Sequence, residues 1–208
     1  VGGFVTLSNG PGDGTVDVSP NAAGSFFGAP YDPVGPIPPA TTTFDSDVFF
    51  RSGTIGSRST LTNAASNLSA IRATQTEANS TFTIGGLSFA LTQLIEPLTS
   101  GSLLTQTYRI TNTGTVQENF ELVRYMDADL NFDGTLIDGG GILTLSSGQT
   151  LLFETDAGGN PSSATTFLGI TAVGGNVPAM NFFELDSFSG LRQRIALGTA
   201  LDDIITGD

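Results

Sequence analysis

Between Ser80 and Ile95 the chain alternates apolar and polar residues on either side of Gly85-Gly86: Phe82 and Ile84 lead in, and Leu87, Phe89 and Leu91 lead out. Residues two apart along a strand share a face, and a two-residue glycine link supplies the positive φ that a tight hairpin turn requires. This stretch therefore predicts an antiparallel hairpin with one apolar face. Such a face is stable only when it is laid on a second layer.

The same alternation recurs downstream. Leu104–Thr111 sets Leu104, Tyr108 and Ile110 against Thr105, Thr107 and Arg109 and predicts a strand with one wet face. After an Asn112-Thr113-Gly114 turn, Glu118–Met126 places Phe120 and Leu122 on one face and Glu121, Val123 and Tyr125 on the other. Further strands are expected at Asp45–Arg51, Leu68–Ala73, Ile142–Leu145, Thr150–Glu154, Thr166–Ala172, Asn181–Leu185 and Leu191–Leu197. No helical period of ten or more residues and no fixed-spacing repeat is found. Short strands broken by Gly, Ser, Asn and Asp predict an all-β antiparallel β-sandwich of jelly-roll or Ig-like type. The Phe26-Phe27, Phe49-Phe50 and Phe182-Phe183 pairs put one ring on each side of a strand, so either both faces are covered or one ring is exposed.

The first forty residues read differently. Asn9–Gly14 is NGPGDG, and Ala29–Pro39 carries five prolines, which favour extended backbone and disfavour interior strands. Residues 1–40 are expected to form an extended Pro/Gly-rich arm with two short β segments, Phe4–Leu7 and Thr15–Val18, and residues 41–208 the β-sandwich domain. A chain opening on Val1 is expected to be a processed or excised piece of a longer product.

Composition narrows the chemistry. The chain has 20 Asp or Glu and 7 Lys or Arg, a net charge of −13, and neither His nor Cys; all seven bases are arginines. Zinc sites built on nitrogen and sulfur, thiol nucleophiles, Ser-His-Asp triads, Schiff bases and a P-loop lysine are therefore excluded. Phosphate backbones would be repelled, so nucleic acid is not an expected partner. No apolar run approaches the roughly 20 residues that span a bilayer.

The densest cluster of chemistry is Asp127–Gly141, DADLNFDGTLIDGGG. Asp127, Asp129, Asn131 and Asp133 recur at alternate positions, Gly134 permits a sharp turn, and Asp138 follows. Calcium takes six to eight oxygens, and alternate carboxylates and amides in a tight loop can converge on one ion. These five residues are the expected ligands of a Ca2+ site. The competing reading is an acidic turn whose Asp and Asn side chains bond backbone amides. From Asp129 the run resembles the first half of an EF-hand loop, yet Gly140 stands where that loop needs a bidentate Glu. Asp45 with Asp47, Glu154 with Asp156, and Glu184 with Asp186 are further acids available to a coordination sphere.

Tyr108–Asp133, together with FETD at Phe153–Asp156 and the DDIITGD ending, resembles the β-sandwich region of secreted or surface bacterial hemolysin-type (RTX-like) calcium-binding proteins, over Ser80–Asp208. The resemblance implies export and calcium binding and supplies no catalytic residue. The function expected is that of an extracellular or cell-surface structural or adhesive domain, forming a homo-oligomer or filament through its N-terminal arm. The alternative is a calcium-assisted carbohydrate-binding module that takes a surface glycan on a platform around Tyr108 and Tyr125. A carboxylate-pair glycosidase would draw on acids such as Glu121 and Glu154, whose spacing selects no pair, so no enzyme is expected.

Overall fold

The computed structural model describes residues 3–135, 138–156, 165–174 and 182–206. The loop positions 136–137, Asn181, and Gly207 and Asp208 of the terminal motif lie outside them. The chain is all-β, built from antiparallel sheets. Its strands are β1 (Leu7–Ser8), β2 (Thr15–Val18), β3 (Phe26–Asp32), β4 (Ala40–Ser52), β5 (Ser59–Thr60), β6 (Arg72–Ala73), β7 (Glu77–Ile84), β8 (Leu87–Leu98), β9 (Gly101–Asn112), β10 (Phe120–Ala128), β11 (Gly139–Thr144), β12 (Thr150–Thr155) and β13 (Phe167–Ile170). One helical turn, α1 (Leu61–Ala64), follows β5, and a longer helix, α2 (Phe188–Leu197), follows β13.

The hairpin read from Ser80–Ile95 forms as expected. Ile84 pairs with Leu87 and Phe82 with Phe89 across the turn, where Gly85 has φ +55°. It sits within the sheet β6-β7-β8-β9. Its apolar face meets β4: Val48 and Phe50 pack with Phe82, Leu87, Phe89 and Leu91. The rings of Phe82 and Phe89 stack 4.8 Å apart, and Phe50 meets Phe89 edge-on at 6.3 Å. Aromatic pairs in these geometries add stabilisation beyond the area they bury.

β4 is the axis of the second sheet, ordered β1-β2-β3-β4-β10, with β5 also paired to β4. Its opposite face is covered too. Phe49 and Tyr125 pack with Leu191 and Ile195 of α2, so both rings of the Phe49-Phe50 pair are buried on different sides of one strand. Phe26-Phe27 takes the other option: Phe26 is buried and Phe27 is 57% exposed.

The Leu191–Leu197 segment is helix, not strand. Leu191, Ile195 and Leu197 satisfy alternation as well as the i, i+4 spacing of a helix, and the ends decide between them. Gly198 takes the left-handed conformation at φ +86° and donates to the Ile195 carbonyl, while Thr199 donates to Arg194. That pair of bonds is a Schellman cap. A Cβ at position 198 would stand 2.0 Å from the Gly56 carbonyl oxygen, so a side chain has no room there.

The N-terminal forty residues are not a separate extended arm. β2 pairs with β3 and β3 with β4, Leu7 and Val18 are buried against Phe26, Ala78 and Ile95, and a boundary at residue 40 would fall on the first residue of β4. Pro30 lies within β3, opposite Thr41, and β2 reaches only Tyr31 and Asp32. β3 is thus an edge at Pro30, where a missing N–H is tolerated. Of the expected Leu68–Ala73 strand only β6 forms, and Leu185 makes a single parallel bridge to Ile205.

Glu121 joins these layers. Its carboxylate accepts from Arg51 and Arg58, both buried. Arg58 also donates to the carbonyls of Ile195 and Thr199 and Arg51 to that of Gly198, satisfying acceptors at the end of α2, and Arg51 donates in addition to the Gly56 carbonyl of the β4–β5 loop. Partial burial alone would raise the Glu121 carboxyl, but the hydrogen bonds and charges of Arg51 and Arg58 hold it below the usual carboxylate range.

Two unfolding measurements follow. Phe49→Ala and Phe50→Ala should each cost about 3–5 kcal/mol in urea denaturation, because each ring fills a separate core; a near-neutral Phe49→Ala would mean that α2 does not cover that face. Glu121→Gln leaves two buried guanidinium groups uncompensated and should cost about 3 kcal/mol. Because the folded carboxyl titrates low, the Glu121 contribution is present above the unfolded pKa and is lost as pH falls through the folded one. A parallel pH dependence of stability in wild type and Glu121→Gln below the carboxylate range would contradict this assignment.

Candidate metal centre

The acidic loop begins where β10 leaves the sheet. Asp127 pairs opposite Asp45 of β4, and the register slips between Asp127 and Ala128. The Asp129 amide donates to the Thr42 carbonyl at 3.1 Å, which keeps the chain against β4 for one more step. Leu130 is then fully buried, and half-buried Phe132 meets Tyr31 edge-on at 6.1 Å. Alternation in the loop thus has two faces, with Leu130 and Phe132 turned inward as apolar anchors.

Their backbone amides serve two carboxylates. Leu130 N donates to Asp138 Oδ2 and Phe132 N to Asp156 Oδ1, each at 3.3 Å. Asp138 and Asp156 belong to opposite sides of one ladder: Gly139 pairs with Thr155 at the end of β11–β12, and these acids are the next residue on each strand. Asp138 is 8% exposed and Asp156 3%. Like charges on facing strand positions repel, and burial removes the water that would screen them.

Asp156 is the least compensated of the pair. Its Oδ2 is buried and has no hydrogen-bond partner among the described residues. Burial pushes its carboxyl above the ordinary value; the Phe132 amide opposes this, and the charge of Asp133 adds to it. None of the described salt bridges reaches it. Arg51 and Arg58 are held by Glu121, Arg192 by Asp45 and Asp47, and Arg194 by Glu184 and Asp186.

The five residues expected as ligands are placed unequally. Asp138 is buried under the loop, Asp127 and Asp129 are half-buried, and Asn131 and Asp133 are exposed. Asp133 Oδ1 accepts from the Thr135 amide and hydroxyl, both at 2.9 Å, which is the turn-forming arrangement of an Asx residue. Among the described residues, no group of three or more acids stands close enough to hold one metal ion. Asp156, one of the supplementary acids in the sequence, is the best-placed carboxylate of the site. Its signal was its position just past a strand end, opposite Asp138 in register, which is invisible until the β11–β12 pairing is known.

The remaining acids have other roles. Asp45 and Asp47 are bridged by Arg192 at 2.9 and 2.7 Å. The buried Tyr125 hydroxyl has no partner among the described residues, and burial raises its pKa, reinforced by the charges of Asp127, Asp45 and Glu154. Tyr125 is 2% exposed, and the Tyr108 hydroxyl donates inward to the Ala23 carbonyl at 2.9 Å, so these rings do not form an open sugar platform. No family model, curated protein or solved structure matches the chain.

The raised Asp156 carboxyl has a definite pH signature. A group that holds its proton more tightly when folded stabilises the fold fully below its unfolded pKa, and that contribution is lost as pH rises through the folded value. In calcium-free buffer, Asp156→Asn should therefore raise the melting temperature at neutral pH and flatten the decline above the ordinary carboxylate range. A lower melting temperature for the variant at neutral pH would show that the charge is already compensated.

Proposed function

We propose that this chain is an extracellular, calcium-stabilised structural domain of β-sandwich type, in which the ion fastens the Asp127–Asp138 loop to the β11–β12 sheet. The observation that carries the proposal is the buried Asp156 carboxylate, with one oxygen unsatisfied, facing Asp138 in register and within the field of Asp133. A buried charge of this kind needs a cation, and the described salt bridges engage other acids. A hard divalent ion suits an all-oxygen donor set. Asp138 and Asp156 are its fixed donors in this reading, with Asp133 as the carboxylate drawn to them and Asp127, Asp129 and Asn131 as further oxygens of the loop.

The donors now apart are brought together by closing the exposed segment around Asn131–Thr135 onto Asp156, and calcium supplies the charge neutralisation that closure needs. In place of a catalytic step, the consequence is mechanical. A loop held by apolar anchors at Leu130 and Phe132 becomes fixed at its acidic side as well. Calcium-dependent stiffness suits a secreted or surface domain that bears load or contacts neighbours.

Melting with calcium and with chelator tests this reading. Calcium at 100 times its dissociation constant should stabilise the fold by about 2.7 kcal/mol, roughly 5–10 °C for a domain of this size. The gain should vanish in Asp156→Asn and in Asp138→Asn. An identical melting temperature in both buffers would remove calcium from the account.

A further inference from the structure

A second polar site lies on the helix side of β4. A cleft of about 280 Å³ opens between β3, β4, the β5–α1 corner and α2, with Phe4, Phe27, Asp45, Thr60, Asn63 and Arg192 on its walls. Phe4 and Phe27 meet edge-on at 5.3 Å and remain 49% and 57% exposed. Two adjoining aromatic rings left in solvent beside a polar recess distinguish this cleft from the rest of the surface.

The polar lining divides into a fixed frame and a free set. Asn21, Ser25, Thr62 and Asp47 bond one another: Ser25 Oγ donates to Asp47 Oδ1 at 2.7 Å, and Asn21 Nδ2 to Thr62 Oγ1 at 3.1 Å. Asp47 is further held by Arg192, whose guanidinium lies over the rings of Phe49 and Tyr125. The floor is therefore rigid and its rotamers are set. At the rim, the Asn63 side chain is exposed, and Asp45 Oδ2 accepts from Arg192 Nε. Among the described residues Arg192 is engaged through Nε and Nη2, and the Thr60 hydroxyl accepts from the Asn63 backbone, so Nη1 and the hydroxyl proton are the donors that face a ligand.

Charge decides among ligand classes. Two carboxylates and one guanidinium leave the cleft net negative, so an anion is repelled, while a cation meets two carboxylates that Arg192 already engages. A neutral ligand avoids both costs. What remains is alternating donors and acceptors on one side and apolar ring surface on the other, complementary to a neutral ring that carries hydroxyls on its edge and C–H groups on its face.

We propose that this cleft binds a neutral pyranose, stacked against Phe27 and hydrogen-bonded through its hydroxyls to Asn63, Asp45 and Arg192. This site is separate from the acidic loop and uses no calcium, so it goes beyond the metal-dependent reading and stands or falls apart from it.

The test is saturation-transfer and amide-shift NMR on the full chain with methyl glucopyranoside, mannopyranoside and galactopyranoside, run in chelator so that the loop plays no part. At least one sugar should receive saturation from Phe4 and Phe27 and shift the Asn63 and Phe27 amides. Phe27→Ala and Asn63→Ala, both at exposed positions that the fold does not need, should each weaken that binding roughly 3- to 10-fold. The proposal is overturned if none of the three sugars perturbs these residues, if binding persists undiminished in the double variant, or if a charged probe such as arginine methyl ester or acetate shifts them while the sugars do not.

Discussion

A shortage of cations shapes this molecule. Its 20 acids outnumber its 7 arginines nearly three to one, and several of those arginines stand where layers meet. Arg51 and Arg58 converge on Glu121 between the sheet and the end of α2, while Arg192 ties α2 to Asp45 and Asp47. Arg124 is half-buried, donating to the Gly24 carbonyl and Ser46 Oγ with its guanidinium over Phe26. A surface ion pair would contribute little. These cations instead satisfy buried acceptors and helix-end carbonyls, where leaving a group unmatched is expensive.

The arrangement centres on β4. One face carries Val48 and Phe50 into the core shared with the β7–β8 hairpin, and the other carries Phe49, Asp47 and Asp45 toward α2. The strand therefore sits between a sheet and a helix, and the helix exists in this position because Gly198 ends it against Gly56 and Arg51. The same face continues through Asp45 to Asp127 and into the acidic loop. Core packing and the candidate metal centre are thus two ends of one strand pair.

Much of this was legible in the sequence because it follows from period-two alternation. The Gly85-Gly86 hairpin, the one-sided pattern of β9 and the two faces of β10 formed as read: Phe120 packs with Phe50, and Val123 and Tyr125 face α2. The failures share a cause, which is that local pattern underdetermined the partner. Leu191–Leu197 fitted two periods and was resolved by its glycine cap. Pro30 argued against a strand but sits where its neighbour has already stopped pairing. Residues 1–40 looked like an arm because Gly and Pro dominate them, although the few apolar residues there, Leu7, Val18 and Phe26, suffice to bury them against β8. In the loop, the acidic cluster was visible, but the decisive carboxylate was 18 residues beyond Asp138 and came to it through the β11–β12 register. Sequence spacing cannot reveal a rung of a ladder whose register is set by the whole sheet.

The account turns on whether a divalent ion compensates the Asp156 charge. Isothermal titration of calcium into the protein in buffers of different ionisation enthalpy, at a series of pH values from the carboxylate range upward, measures both binding and the protons released with it. The account predicts saturable binding to the chain accompanied by proton release that disappears in Asp156→Asn. Binding with no proton release at any pH in the series, or no binding heat at all, would contradict it.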